Sequence, residues 1–179
     1  MKDITIFDNF INDEEFFTTV DIMNKSSWKF SGTSMGTGTP FWNMDLMSHT
    51  DYITTTVNKI NQKTGKTYQV LRVYANGQTY GQDGRFHLDS DHDNCYTLLI
   101  YISEIGPHNI DTVGGFTQFK TNDDQVLNIN PYQTNAVLFK STILHRGLAP
   151  SRESGMLRIT LAFKLLDISN KLPFTVKYS

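Results

Sequence analysis

The chain has 179 residues, of which 39% are hydrophobic and 12% aromatic, and this is enough apolar material for one domain with its own core. Lysine and arginine number 16 against 18 aspartate and glutamate, so the net charge is −2, and no basic run indicates a nucleic-acid partner. A single cysteine excludes an internal disulfide, and the sequence lacks both a membrane span of ~20 apolar residues and a signal peptide, so we expect a cytoplasmic protein with no membrane partner.

The N-terminal part of the chain predicts a short strand and two helices. The strand covers Ile4–Phe7. Asn12 is a favourable N-cap for a helix over Asp13–Lys25, which has acidic residues in its first turn and apolar residues at helical spacing. A second helix, over residues 50–63, carries an apolar stripe and is followed by Gly65, a typical C-cap residue. Both helices need an apolar surface to cover.

A glycine-rich segment, residues 31–40, lies between the two predicted helices. Short strands are predicted beside it, near Trp28 and Phe41. The segment has no apolar periodicity, and Trp42 follows it closely. We therefore predict that residues 31–40 form a mobile loop that acts as a lid over a site.

After residue 66 the sequence predicts only strands and turns. The segments are short, β-branched or aromatic, and separated by turn residues. The predicted strands cover residues 67–74, 96–103, 115–119, 126–129, 136–139, 143–146 and 157–165.

These elements predict a mainly β fold with flanking helices, namely a jelly roll, or double-stranded β-helix, of two antiparallel sheets with the N-terminal helices packed on one sheet. We expect residues 1–179 to form a single domain. Within it, residues 1–66 supply helical support and the lid loop, and residues 67–166 form the jelly-roll core.

Three residues carry the pattern of an iron site. His87 and Asp89 are two positions apart, so an extended chain places both side chains on the same face. His145 lies in a strand-like segment near the end of the predicted core, and the late strands of a jelly roll can return beside earlier ones. Two histidines and one carboxylate on one face of a metal are the facial arrangement of non-haem Fe(II) oxygenases. Taken alone, a His-x-Asp pair is more often a surface turn than a metal site.

A basic residue further along the chain strengthens this interpretation. An evident turn over residues 150–155 returns Arg158 beside His145, and apolar residues surround Arg158 in the sequence. A buried guanidinium needs an anionic partner and can hold a carboxylate with two parallel hydrogen bonds. Thr160 shares its face and can add a hydroxyl. The alternative is an exposed charge on a strand.

At these residues the sequence resembles the prolyl 4-hydroxylase-like branch of the 2-oxoglutarate and Fe(II)-dependent dioxygenases. The resemblance is ordered and spans roughly residues 70 to 165. It is carried by YANGQTY (74–80), HLD (87–89), TLLIY (97–101), GGFTQF (114–119), residues 131–139 and residues 145–158.

The resemblance implies roles for individual residues. His87, Asp89 and His145 would bind iron, and Arg158 would hold the distal carboxylate of 2-oxoglutarate. Three assisting residues are Tyr101, Tyr74 and Thr160, although tyrosines at these places are also explained as core aromatics. The implied cofactors are Fe(II), 2-oxoglutarate and O2, with ascorbate as an optional addition.

The sequence departs from the family pattern in three places. Residues 81–84 form an insertion ahead of His87, which we expect beside the iron. Asn135 stands where the family commonly has glycine, which asparagine can replace because it accepts positive φ. The basic anchor is Arg158 where collagen-type enzymes use lysine. His92 could compete with His87 as a ligand, but only His87 has a tyrosine and glycine before it and an aspartate two residues on within the ordered resemblance.

These features predict a hydroxylase of a C–H bond that releases succinate and CO2, with peptidyl proline as the first choice of substrate. A free amino acid or other small metabolite is the alternative. A third hypothesis is a cupin-like binding module whose histidines hold zinc or nothing. The substrate partner is thus a peptide, a protein or a small molecule, and the sequence does not indicate the oligomeric state.

Overall fold

A computed structural model describes residues 3–33, 36, 38–121, 123 and 125–170. The strands of this part of the chain are β1 Ile4–Phe7, β2 Lys29–Gly32, β3 Phe41–Asp45, β4 Tyr68–Gln78, β5 Cys95–Tyr101, β6 Thr117–Lys120, β7 Val126–Ile129, β8 Ala136–Lys140, β9 His145–Gly147 and β10 Arg158–Asp167. The helices are α1 Asp13–Lys25, α2 Thr50–Thr64 and the short α3 Ile110–Val113, and a 3-10 turn covers Arg152–Ser154.

The strands form two antiparallel sheets. The larger has seven strands in the order β1-β8-β5-β10-β4-β3-β2, and the smaller has three in the order β7-β6-β9. The predicted fold class, a jelly roll of two antiparallel sheets with flanking helices, is confirmed. The N-terminal 66 residues supply three strands of the larger sheet, β1, β2 and β3, besides the two helices. The single-domain division of the chain stays a prediction.

The two helices form where local signals favour them. The Asn12 side chain accepts a hydrogen bond from the Glu15 backbone N–H at 2.9 Å, and the Glu15 carboxylate accepts one from the Asn12 N–H at 2.8 Å. This capping box starts α1, and Gly65 in the left-handed conformation ends α2. None of the helices in the described ranges is long and apolar enough to cross a membrane.

The larger sheet has apolar residues on both faces. One face packs against α1 and α2 through a core that includes Met23, Ile60 and Phe163. The other face packs against the smaller sheet through Phe119 and Phe139. This second core leaves a cavity at one end of the sandwich, where the candidate site lies.

The structure corrects three details of the sequence prediction. The region after residue 66 includes the helix α3, which follows β5. Strand β4 continues to Gln78 instead of ending at Tyr74, because pairing with both β3 and β10 fixes its last residues. The positive φ next to β8 belongs to Thr134, at 69°, and not to Asn135. Asn135 instead uses its side chain, accepting a hydrogen bond from the Asn9 N–H at 2.9 Å.

Candidate metal and co-substrate site

The backbone brings His87, Asp89 and His145 together by direct pairing. His87 and His145 exchange both backbone hydrogen bonds, each at 3.0 Å, so the segment before β5 pairs with β9. The Asp89 N–H donates to the Ser141 carbonyl at 2.9 Å. Strand β9 is in turn paired with β6, where His145 lies opposite Phe119. Both histidines are therefore mounted on the smaller sheet.

The three side chains converge on one point. His87 Nε2 lies 3.5 Å from Asp89 Oδ1, and His145 Nε2 lies 3.3 Å from Asp89 Oδ2. One ligand atom from each residue lies within 4.8 Å of the others, which is a spacing that can hold a metal ion. The His145 ring is buried against Phe119 and Phe139, with ring centroids 6.0 and 4.6 Å away. The cluster predicted from the sequence is thus assembled in space.

Both imidazoles are oriented by hydrogen bonds on their far side. His87 Nδ1 lies 2.8 Å from the Arg85 carbonyl oxygen, and His145 Nδ1 lies 2.9 Å from the Ile143 carbonyl oxygen. A carbonyl can only accept, so each Nδ1 must carry the proton. In the neutral imidazoles each Nε2 then presents a lone pair to the Asp89 carboxylate. Acceptors facing one another in this way require a cation between them, either a metal or added protons.

The electrostatics of the cluster favour a charged carboxylate. Burial raises the pKa of Asp89, but the contacts with His145 and His87 and the positive charge of Lys164 outweigh this, and the net shift is well below the ordinary value. Burial lowers the pKa of His87, but its hydrogen bonds with Asp89 and the Arg85 carbonyl outweigh this, and the net shift is upward. Asp89 is therefore an anion at neutral pH and is ready to bind a cation.

Two residues that the sequence reasoning missed hold one oxygen of Asp89. Thr97 Oγ1 donates to Asp89 Oδ2 at 2.6 Å, and Lys164 Nζ donates to the same oxygen. Lys164 Nζ also lies 3.2 Å from Thr97 Oγ1. A signal for Lys164 was present, because it follows Arg158 at an even spacing on β10 and so shares its face.

Arg158 lies at the other end of the cavity and is 3% exposed. Its guanidinium donates to the Gly115 carbonyl at 2.6 Å, to Gln78 Oε1 at 2.8 Å and to Thr117 Oγ1 at 2.9 Å. Within the described ranges it pairs with no carboxylate. Burial lowers the pKa of the guanidinium, which expresses the free-energy cost of an unpaired buried cation. The sequence predicted this burial and the need for an anion, but not Gln78 or Thr117.

Two glycines let the chain approach the guanidinium. A Cβ on Gly147 would lie 3.0 Å from Gln78 Oε1 and 3.1 Å from an Arg158 nitrogen. Gly115 has a φ of 76°, and a Cβ there would lie 3.2 Å from the Arg158 side chain. A side chain at either position would require Arg158 to shift by a few tenths of an ångström.

The three residues expected to assist Arg158 lie in different settings. Thr160 and Tyr74 line the cavity, on β10 and β4. Tyr101 is buried beneath it and donates to Thr117 Oγ1 at 2.9 Å, while burial raises the pKa of Tyr101 to about 12. Because Thr117 Oγ1 accepts from both Tyr101 and Arg158, its own proton can be donated into the cavity. Tyr101 therefore contacts a residue that lines the cavity and does not line the cavity itself.

One cavity of about 490 Å³ contains both the histidine cluster and Arg158. This volume is within the usual range for small-molecule sites. Gly32 and Thr33, from the start of the predicted lid, are among its lining residues. Ser34, Met35 and Thr37 of the same segment lie outside the described residues, and the lid role stays a prediction. The cavity contains no part of His92, which is exposed at the surface.

The insertion at residues 81–84 packs closely against the end of β9. The Gly84 N–H donates to the Gly147 carbonyl at 2.8 Å, and Asp83 Oδ1 accepts from the Ala149 N–H at 2.7 Å. Gln78 Nε2 donates to the Gln82 carbonyl at 2.7 Å. Gly84 lines the cavity, so the insertion forms part of its wall.

The jelly roll encloses a His-Asp-His cluster and a buried basic residue, as the resemblance to the 2-oxoglutarate and Fe(II)-dependent dioxygenases implies. No protein-family profile and no curated protein sequence matches the chain. The similarity is found among solved structures.

Three of the similar solved structures are as follows. A prolyl hydroxylase from Trichoplax adhaerens, in complex with a hypoxia-inducible-factor peptide fragment, aligns with a TM-score of 0.71 and 14% identity, covering 92% of this chain and 83% of that chain. A 2OG-Fe(II) oxygenase family protein from Burkholderia pseudomallei has a TM-score of 0.72 and 11% identity, with coverage of 92% and 85%. HygX from Streptomyces hygroscopicus, with nickel, 2-oxoglutarate and hygromycin B bound, has a TM-score of 0.68 and 9% identity, with coverage of 91% and 82%. At these identities the alignments establish a shared fold, and the expected resemblance is confirmed at that level.

Proposed function

We propose that the protein is a 2-oxoglutarate and Fe(II)-dependent dioxygenase that hydroxylates a C–H bond. One observation carries the proposal, namely that two imidazoles, each held through Nδ1 by a backbone carbonyl, direct their Nε2 atoms at one buried carboxylate. This donor set of two nitrogens and one oxygen fits Fe(II) in a facial arrangement. Thr97 and Lys164 already engage Asp89 Oδ2, which leaves Oδ1 as the ligand oxygen.

The opposite end of the cavity fits a dicarboxylate co-substrate. Arg158 is a buried cation with neutral partners only, so an incoming carboxylate would relieve its cost of burial. Thr117 and Thr160 are placed to add hydroxyl hydrogen bonds to that carboxylate. When bound, Fe(II) with 2-oxoglutarate and O2 supplies oxidising chemistry that yields succinate, CO2 and a hydroxylated substrate. The contribution of the chain is to orient the co-substrate and to limit the access of water.

Peptidyl proline is our first choice of substrate class, because the sequence motifs resemble prolyl 4-hydroxylases and three of the similar folds are prolyl hydroxylases. A free amino acid or small metabolite is the alternative, in line with the hygromycin B bound by HygX. Asp89 argues against a halogenase, which needs the position of this carboxylate for halide. We place the protein in the cytoplasm, since its one cysteine is a buried free thiol.

The test is anaerobic addition of Fe(II) and 2-oxoglutarate to the apoprotein. We expect a visible charge-transfer absorption, and succinate release once O2 is admitted. A cupin-like binding module would give neither signal. Binding of zinc without any effect of 2-oxoglutarate would favour that module over the dioxygenase.

A further inference from the structure

The cavity has an excess of positive charge. Four charged side chains line it within the described part of the chain, and three of them are basic: Arg72, Arg158 and Lys164. Asp89 is the only acidic one among them. A polar site with this imbalance attracts anions.

Two of the cations lie side by side on the same wall. Arg72 of β4 is directly opposite Lys164 of β10 in the antiparallel register. Like charges in this relation destabilise a sheet unless another group offsets them. Lys164 is paired with Asp89, whereas Arg72 makes no ion pair with any described residue. The guanidinium carbon of Arg72 lies 4.7 Å from the centre of the Tyr74 ring, which also faces the cavity.

The proposed function, on which this inference rests, does not neutralise the excess of positive charge in the cavity. Fe(II) and the two carboxylates of 2-oxoglutarate cancel each other in charge, and Asp89 cancels Arg158. Lys164 and Arg72 then remain as two positive charges. Lys164 contacts Asp89 of the cluster, and both cations lie over the Tyr74 ring, with the Lys164 Nζ 5.7 Å and the Arg72 guanidinium carbon 4.7 Å from its centre. The remaining charge is therefore positioned for the substrate and not for the co-substrate.

We propose that the substrate carries a carboxylate and that Arg72 binds it, with Lys164 adding to the positive field and the Tyr74 ring holding the guanidinium in place. Arg72 lines the cavity and is exposed, and its planar guanidinium suits a carboxylate in a two-point contact. Arg72 is thus a specificity-determining residue. The carboxylate has two sources, namely the α-carboxylate of a free amino acid or an acidic side chain beside the hydroxylated residue of a peptide.

The experiment compares matched pairs of compounds on the Fe(II) and 2-oxoglutarate complex. One set pairs the standard L-amino acids with their amides, and the other pairs short proline-containing peptides bearing Asp or Glu with their Asn or Gln counterparts. Binding is read from the change in the charge-transfer absorption, and turnover from succinate release. We expect an acid in one set to bind and its neutral counterpart to bind at least about 10-fold more weakly. The set that responds identifies the source of the carboxylate.

Substitution of Arg72 completes the test. Arg72→Gln should weaken binding of the responsive acid by about 10- to 100-fold and reduce its advantage over the neutral counterpart, and Arg72→Lys should be intermediate. Arg152→Gln removes an exposed arginine outside the cavity and should behave like the wild type. Equal binding of acids and neutral counterparts, or no response to any compound while the charge-transfer absorption is present, would overturn the inference. Absence of that absorption would instead overturn the proposed function.

Discussion

The orientation of each histidine is encoded within its own segment. His87 and His145 both donate from Nδ1 to the carbonyl two residues earlier, on Arg85 and Ile143. These contacts form without help from distant parts of the chain, so the rings are oriented before a metal arrives. Preorganisation of this kind lowers the entropy lost on binding and increases ligand basicity.

Removing a ligand should therefore abolish metal binding. We expect His87→Ala, Asp89→Ala and His145→Ala each to lose more than about 100-fold in Co(II) affinity and to release no succinate, because two remaining ligands hold the ion poorly. Titration of Co(II) absorption measures the affinity. His87 is the cleanest site, since His145 is buried against two phenylalanines and its truncation also opens a cavity. His92→Ala is the matched control, and near-wild-type affinity in any of the three variants would contradict the assignment.

Truncating Arg158 should weaken the binding of 2-oxoglutarate and leave metal binding unchanged. Removing one partner of a buried charge-assisted contact costs ~2–5 kcal/mol, so Arg158→Ala should raise the 2-oxoglutarate requirement by roughly 30-fold or more. Arg158→Lys should fall between, because lysine keeps the charge without the planar fork. Co(II) affinity should change little in both variants. Chemical denaturation shows whether loss of the contacts with Gln78 and Thr117 destabilises the fold. Unaltered 2-oxoglutarate affinity in a folded Arg158→Ala protein would contradict the assignment of Arg158 to the co-substrate.

The site residues that could be predicted from the sequence are those with a local pattern. His87 and Asp89 share a face at a spacing of two, and the apolar neighbours of Arg158 indicate its burial. The spacing on β10 places Lys164 on the face of Arg158, but the sequence does not assign Lys164 or Thr97 to Asp89. That contact depends on strand register, in which Lys164 lies opposite Thr97. Register between distant strands is a property of the folded sheet and not of any one segment.

At the scale of elements, the bounds of the two N-terminal helices were predicted more accurately than those of most strands, whereas α3 was missed. Helix α1 has the predicted bounds, Asp13–Lys25, because its capping box is local. The extension of β4 from Tyr74 to Gln78 was missed, since Asn76 and Gly77 have low strand propensity. Their place in the strand is determined by pairing with β3 and β10 on either side. Tertiary pairing overrides local preference at that end, which is also the end that carries Gln78 to Arg158.

Lys66 Nζ lies 2.8 Å from Asp167 Oδ2, and this contact connects the residues just before β4 with the end of β10. Burial raises the pKa of Asp167, but hydrogen bonds from Lys66 and Ser169 outweigh this, so the folded-state pKa is lowered. A carboxyl group with a lowered folded-state pKa stabilises the fold fully at pH values above its unfolded-state pKa of about 4. This stabilisation is lost as the pH falls from there through the folded-state pKa. Asp167→Asn should therefore lower the free energy of unfolding at pH 7 by less than about 1 kcal/mol.

Urea denaturation at several pH values measures this effect. The difference between Asp167→Asn and wild type should shrink as the pH falls below about 4, because the protonated carboxyl no longer pairs as an anion. Asp93→Asn, at an exposed loop position, is the control and should match wild type throughout. A difference that stays constant down to low pH would show that the variant acts through something other than the charge of Asp167.

At the scale of the whole molecule, the candidate site lies between the two sheets. His87 and His145 are mounted on the smaller sheet, whereas Asp89 is held by Thr97 and Lys164 from the larger one. Arg158 repeats this pattern at the other end, since it belongs to β10 and bonds to Thr117 of β6. Each ligand would thus contact both sheets. In the described part of the chain, the smaller of these sheets has three strands.

Metal binding should therefore stabilise the fold as a whole. A ligand that binds only the folded state adds ~2.7 kcal/mol at a free concentration 100 times its Kd, which for a chain of this size corresponds to a rise in Tm of roughly 5–10 °C. We expect this rise when Co(II) is added to the apoprotein, and its reversal by EDTA. Asp167→Asn should show the same increment, because it lies outside the cluster, and His87→Ala should show none. An equal rise in His87→Ala would mean that the stabilising ion binds elsewhere, and the cluster between the sheets would then not be the metal site.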